Sequence, residues 1–128
     1  MNAIQQVPSD PALESHLLKF LQSCDGAYGA LVVTDDGYVI SHHLRRQVPA
    51  KTLAAMTSSL LGLSESVAHE SGIASCNDVM VEGAEGTFVA KRIDDSRILA
   101  AMASKGTKIG MLLSASRTCI DSINLQLI

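Results

Sequence analysis

The most informative stretch of this 128-residue chain is YGALVVTDDGYVISH, residues 28–42. An apolar run rich in β-branched residues is followed by Asp35-Asp36-Gly37 and then by a second run of the same kind. This pattern predicts two antiparallel strands joined by a tight turn. The part from Ala30 to Val33 has no alternation of polar and apolar side chains. We therefore expect both faces of the first strand to be covered.

Helical patterns lie on either side of this hairpin. Asp10 and Pro11 predict the start of a first helix, because Asp favours the N-cap and Pro the first helical position. Pro49 precedes the longest helix, predicted over residues 50 to 71 and ended by Gly72. The last helix carries apolar or small side chains at helical spacing, namely Ile109, Leu112, Ser116, Ile120, Ile123 and Leu127.

Three further strands are predicted over residues 78–82, 87–92 and 97–103, joined by short turns. The element order is then α-β-β-α-β-β-β-α, an α+β fold. The first and fifth strands are apolar on both faces, which places them side by side at the centre of an antiparallel sheet of order 2-1-5-4-3. We expect the long helix on one face and the two terminal helices on the other. Residues 10–128 form one domain, and residues 1–9 a flexible tail.

Composition excludes several classes of function. The net charge is −3, aromatic residues make up 3% and there is no Trp, so nucleic-acid binding is not expected. The start of the chain, MNAIQQVPSD, has neither the basic nor the apolar region of a signal peptide, and no apolar run approaches the length of a membrane span. Three cysteines without CxxC spacing are typical of reduced thiols. A cytoplasmic protein without membrane insertion is predicted.

No pattern in the chain indicates a catalytic centre. His42 and His43 are neighbours on a strand and point to opposite faces, and His16 and His69 lack a full set of metal ligands. The cysteines and serines lie in no nucleophile motif. The nearest match to a phosphate loop, residues 104–107, has the wrong order of residues. The sequence therefore predicts no enzyme, no metal and no cofactor.

The long helix has a wider apolar arc than one sheet can cover. We expect its core side to consist of Leu53, Met56, Leu60, Leu63 and Val67. The rest of the helix is rich in Ala, Ser and Gly where a solvated face would carry Lys and Glu. The third strand has no Pro or Lys to protect its edge. These features predict a two-fold dimer whose interface consists of Ala54, Ala55, Ser58, Leu61, Gly62, Glu65, Val79, Met80 and Val81.

Two segments, residues 29–41 and 81–92, resemble the roadblock / dynein light chain family, and residues 98–113 resemble its bacterial branch. The resemblance implies the profilin-like roadblock fold, with five antiparallel strands between helices, and homodimers built on the second helix and third strand. It also implies regulation of a Ras-like GTPase of the gliding-motility type, without a catalytic residue in the regulator. Three basic residues are then candidate partner contacts, namely Arg45, Arg46 and Lys51.

Two alternatives to a GTPase regulator remain open from the sequence. The chain could be a scaffold or adaptor without effect on GTP hydrolysis. It could also be a small-ligand sensor, since helices packed on antiparallel sheets often enclose pockets. The sensor would need polar groups inside the apolar set, where Thr57 and Ser116 are the candidates.

Overall fold

The computed structural model describes residues 7–126, with the predicted order of elements. The predicted Leu127 position and residues 1–6 of the predicted tail lie outside this range. The elements are α1 (Pro11–Ser23), β1 (Ala27–Thr34), β2 (Val39–Leu44), α2 (Ala50–Glu70), β3 (Asp78–Gly83), β4 (Gly86–Arg92), β5 (Arg97–Ser104) and α3 (Ile109–Gln126).

All five strands form one antiparallel sheet of order β2-β1-β5-β4-β3, as predicted. β1 and β5 are central and almost fully buried. Side chains alternate along β1, so that Ala30 and Val32 enter the core under α1 and α3. Leu31 and Val33 enter a separate core under α2. The uninterrupted apolar run of β1 thus supplies two hydrophobic cores, one on each face of the sheet.

The start of α1 follows the sequence signal. Asp10 Oδ1 accepts the backbone N–H groups of Ala12 (2.9 Å) and Leu13 (3.3 Å), and Pro11 occupies the first turn. Within the predicted tail, residues 7–9 contact the rest of the domain. Ser9 bonds to Glu14, and Val7 packs against the core under α2.

The prediction of which side of α2 faces the core is wrong. The side that faces the sheet carries small or medium residues, namely Ala50, Ala54, Thr57, Leu61 and Ala68. Small residues are required because the helix lies close to the β1–β2 turn: a Cβ added at Gly37 would be 3.2 Å from the Cα of Ala55. The bulkier apolar arc, which the sequence pattern assigned to the core, consequently faces outward. Met56, Leu63 and Val67 are all more than half exposed.

Two glycines of the β3–β4 turn offer a paired test of how closely this turn packs on β5. An alanine Cβ at Gly86 would lie 2.3 Å from the backbone oxygen of Ala103, whereas at Gly83 its nearest neighbour is 3.7 Å away. Because a backbone atom of a central strand cannot yield easily, we expect Gly86→Ala to lower the free energy of unfolding by about 3 kcal/mol. Gly83→Ala should change it by less than about 1 kcal/mol. Urea unfolding of both variants at equal concentration measures the difference, and equal losses would contradict the packing.

Candidate protein-interaction surface

An apolar strip runs along the outer side of α2. It consists of Leu53, Met56, Leu60, Leu63 and Val67, and we call these residues the apolar strip. Leu63 is 65% exposed, Met56 61% and Val67 55%. Single exposed apolar residues are ordinary on protein surfaces, but a contiguous row of them indicates a surface that another molecule covers.

The apolar strip borders a groove between α2 and the sheet. The groove has a volume of about 670 Å³, and Val81 of β3 and Phe88 of β4 form its other wall. Beyond Leu63 a second hollow of about 510 Å³ continues toward Ile73 and Val79. Side chains from α2, β3 and β4 therefore form an apolar groove that continues into a hollow lined by both apolar and polar residues.

The edge strand β3 lies beside this surface. β3 pairs only with β4 among the strands formed by residues 7–126. Val79 and Val81 point to the α2 side of the sheet, and Met80 packs on the opposite side. The outer backbone groups of β3 are thus available for antiparallel pairing with another strand, next to the groove.

The structure separates the α2 residues that the sequence predicted for the interface. The prediction that Ala54 and Leu61 belong to the interface is wrong, because both are fully buried in the core under α2 and cannot reach another chain. Ala55 and Gly62 are exposed, and nothing lies within 4 Å of a Cβ added at Gly62. Ser58 donates its hydroxyl hydrogen bond to the backbone oxygen of Asp35 at 2.6 Å, which holds α2 against the β1–β2 turn.

Glu65, the remaining predicted α2 residue, is part of an ion-pair cluster. Arg92 at the end of β4 donates to Asp35 Oδ1 at 2.8 Å and to Glu65 Oε2 at 3.3 Å. Hydrogen bonds to Asp35 and then Glu65 raise the pKa of Arg92. The cluster joins α2, the β1–β2 turn and β4, so it fixes the helix that carries the apolar strip.

The three predicted partner contacts lie at the opposite end of the sheet from this cluster, and all are exposed. The Arg46 guanidinium stacks on the Tyr28 ring at 4.0 Å from its centroid and donates to Ser104 Oγ at 2.6 Å. Arg45 donates to the backbone oxygen of Leu21 at 3.4 Å. Lys51 lies in the first turn of α2. Stacking and hydrogen bonding hold the two arginines in defined positions, which lowers the entropy they would lose on binding.

Nucleophilic or metal chemistry has little support in residues 7–126. Within this range no group of three or more His, Cys, Asp and Glu side chains could hold a metal ion. Burial raises the pKa of the Cys119 thiol to about 11 and also raises that of Cys24, so both remain protonated at neutral pH. Over the same residues, no helix has both the length and the apolar character needed to cross a membrane.

The strand order and the helices on both faces define a profilin-like α+β domain, the fold predicted from the sequence. The chain belongs to the Roadblock/LC7 domain family, whose model matches residues 13–104. It is 28% identical over 103 residues to the uncharacterised protein MJ0714 of Methanocaldococcus jannaschii, a match that covers 80% of this chain and 86% of that protein.

Two solved structures illustrate the shared fold. A Roadblock/LC7 domain from Streptomyces avermitilis superposes with a TM-score of 0.81 at 21% identity, covering 88% of this chain and 95% of that one. MglB from Myxococcus xanthus superposes with a TM-score of 0.83 at 14% identity, covering 91% and 94%.

Proposed function

We propose that this chain forms a homodimer through α2 and β3, and that the dimer binds a Ras-like GTPase and modulates its nucleotide turnover. The observation that carries the proposal is the apolar strip beside an open sheet edge. A monomer would leave the side chains of the apolar strip in water at a cost of about 25 cal/mol for each Å². A second copy offers both a matching apolar helix and a matching strand edge.

Two-fold symmetry fits the surface. In such a dimer the same patch meets itself, so the apolar strip packs on its own copy and β3 pairs antiparallel with β3 of the partner subunit. Gly62 and Ala55 lack long side chains, which lets two α2 helices approach closely between the bulkier residues. The proposed interface keeps the predicted Ala55, Gly62, Val79 and Val81. The apolar strip takes the place of the buried Ala54 and Leu61.

The GTPase part of the proposal depends on the family and on the basic residues. Membership of the Roadblock/LC7 family and the likeness to MglB gliding proteins support a regulator. In such a regulator the GTPase keeps its own catalytic residues, and the dimer acts by binding its loops. Arg45, Arg46 and Lys51 supply an exposed cationic surface for an acidic partner. A cytoplasmic location agrees with the three free cysteines.

The direct test measures GTP hydrolysis by a small Ras-like GTPase from the same genome, with and without this protein. We expect binding and an altered hydrolysis rate. The double variant Arg45→Glu and Arg46→Glu should weaken binding at least about tenfold, with a smaller dependence on salt than the wild type. Arg117→Glu, an exposed arginine on α3, is the matched control and should bind normally.

The outcomes separate a regulator from a scaffold. Tight binding with an unchanged hydrolysis rate would support a scaffold and contradict the regulatory part of the proposal. Failure to bind any Ras-like GTPase of the same genome would contradict the partner class itself. Equal losses in the Arg45/Arg46 and Arg117 variants would place the partner on a different surface.

A further inference from the structure

The N-terminal residues 7–10 cover the edge of the sheet opposite β3. The backbone N–H of Asp10 donates to the carbonyl oxygen of Ile40 at 3.1 Å. The N–H of His42 donates to Ser9 Oγ at 3.3 Å. In an antiparallel sheet only alternate residues of an edge strand bond to its neighbour, and these groups are the ones that face away from β1. The outer edge of β2 is thus occupied at two positions.

The same residues pass from one face of the sheet to the other. α1, which begins at Pro11, packs on the first core, whereas Val7 packs against the core under α2. Residues 7–10 therefore cross β2 at its edge. Ser41 strengthens the crossing by donating its hydroxyl hydrogen bond to the backbone oxygen of Asp10 at 3.0 Å.

His42 of β2 contacts this segment directly, whereas His43 is connected to it through Glu14 of α1. His42 Nδ1 donates to the carbonyl oxygen of Pro8 at 3.1 Å. His43 Nδ1 lies 3.1 Å from Glu14 Oε2, and the other oxygen of Glu14 accepts the hydroxyl of Ser9 at 2.8 Å. The hydrogen bonds from His43 and Ser9 lower the pKa of Glu14 below its ordinary value. His42 thus bonds to the backbone of Pro8, and His43 is connected through Glu14 to the hydroxyl group of Ser9.

We propose that residues 7–10 form a proton-sensitive strap that closes the β2 edge of the sheet. Imidazoles gain their charge between pH 8 and pH 5, and charge-assisted hydrogen bonds are roughly twice as strong as neutral ones. Protonation of the two rings thus tightens the strap, and deprotonation loosens it. A loosened strap exposes edge groups that can pair with an extended segment of another chain.

Several charged groups face the two rings. Glu14 of α1 is the acidic group in direct contact with His43. Arg45, Arg46 and Lys51 are the basic groups that line the hollows beside the rings. The carboxylate of Asp10 is occupied at the start of α1. The hydrogen bond from His42 to the carbonyl oxygen of Pro8 exists only in the closed strap, so a positive charge on that ring stabilises the closed form.

The test is the NMR protection factor of the His42 amide in the full chain, which corrects for the intrinsic pH dependence of exchange. In the wild type we expect protection to be about three- to tenfold higher at pH 5.5 than at pH 7.5. His42→Gln should abolish most of that ratio, because an amide side chain does not gain a charge, and His43→Gln should reduce it. Ser9→Ala should lower protection at both pH values. His69→Gln, an exposed histidine at the end of α2, is the control and should behave as the wild type.

The amide of Ala100 in β5 reports in each variant that the sheet is intact. The strap is contradicted if Ser9→Ala leaves the protection of His42 unchanged. The proton sensitivity is contradicted if the ratio between the two pH values survives in His42→Gln. Neither readout involves α2, β3 or a GTPase, so failure here is distinct from failure of the proposed function.

Discussion

The variant Leu63→Glu is expected to be a monomer of 13.5 kDa under conditions where the wild type has twice that mass. Leu63 is 65% exposed in the single chain and lines both the groove and the second hollow. In a two-fold dimer Leu63 is buried in both subunits, so the variant introduces one carboxylate from each subunit, two in all, into an apolar interface. Burying an unpaired charge costs several kcal/mol, and the dissociation constant should rise at least about 100-fold. Sedimentation velocity at micromolar concentration measures the change.

Leu125→Glu is the matched control for this prediction. Leu125 is 68% exposed but lies on α3, on the other side of the sheet from the apolar strip. The same chemical change at equal exposure should leave the dimer intact. Far-UV circular dichroism verifies that both variants are folded. A Leu63→Glu protein that associates as tightly as the wild type would contradict the proposed interface.

The variant Leu61→Ala should lose stability but keep the dimer, although Leu61 lies only two residues from Leu63. Leu61 is fully buried in the core under α2 together with Leu31 and Ile98. Removing three buried carbon atoms leaves a cavity, and we expect the free energy of unfolding to fall by about 3 kcal/mol. The dimer should persist below the unfolding transition. Denaturant unfolding measures the loss.

Because unfolding of a dimer depends on protein concentration, Leu61→Ala is best measured a second time in the Leu63→Glu background. The loss should be similar there, since the core under α2 belongs to one chain. Leu125→Ala serves as the surface control and should cost less than about 0.5 kcal/mol. If Leu61→Ala dissociated the dimer and left stability unchanged, Leu61 would lie on the outer side of α2. The apolar strip would then face the sheet, as the sequence pattern predicts.

Most of the fold could be predicted because its signals are local. Residues 28–42 specify a hairpin by composition and turn chemistry, and Asp10-Pro11 specifies a helix start. The central place of β1 and β5 follows from strands with no polar face. The strap could not be predicted in this way. Its contacts join Ser9 to His42, residues far apart in sequence, and a short polar segment carries no periodic pattern.

The sequence did not tell which apolar side of α2 faces the sheet. Nearly half of the helix circumference is apolar, and hydrophobicity alone does not tell which part faces the sheet. The deciding quantity is how closely α2 approaches the β1–β2 turn, where a Cβ added at Gly37 would be 3.2 Å from the Cα of Ala55. That distance favours Ala54 over Met56 in the core, and it depends on tertiary structure.

The two apolar sides of α2 have different consequences for evolution. The inner residues, such as Ala54 and Leu61, determine how closely the helix sits on the sheet, so few substitutions preserve the fold. The outer residues, such as Met56 and Val67, touch little of their own chain and can change without that restriction. If the proposed homodimer forms, a few changes on the outer side after gene duplication would be enough to turn one copy into half of a heteromeric pair, while the scaffold beneath stays the same.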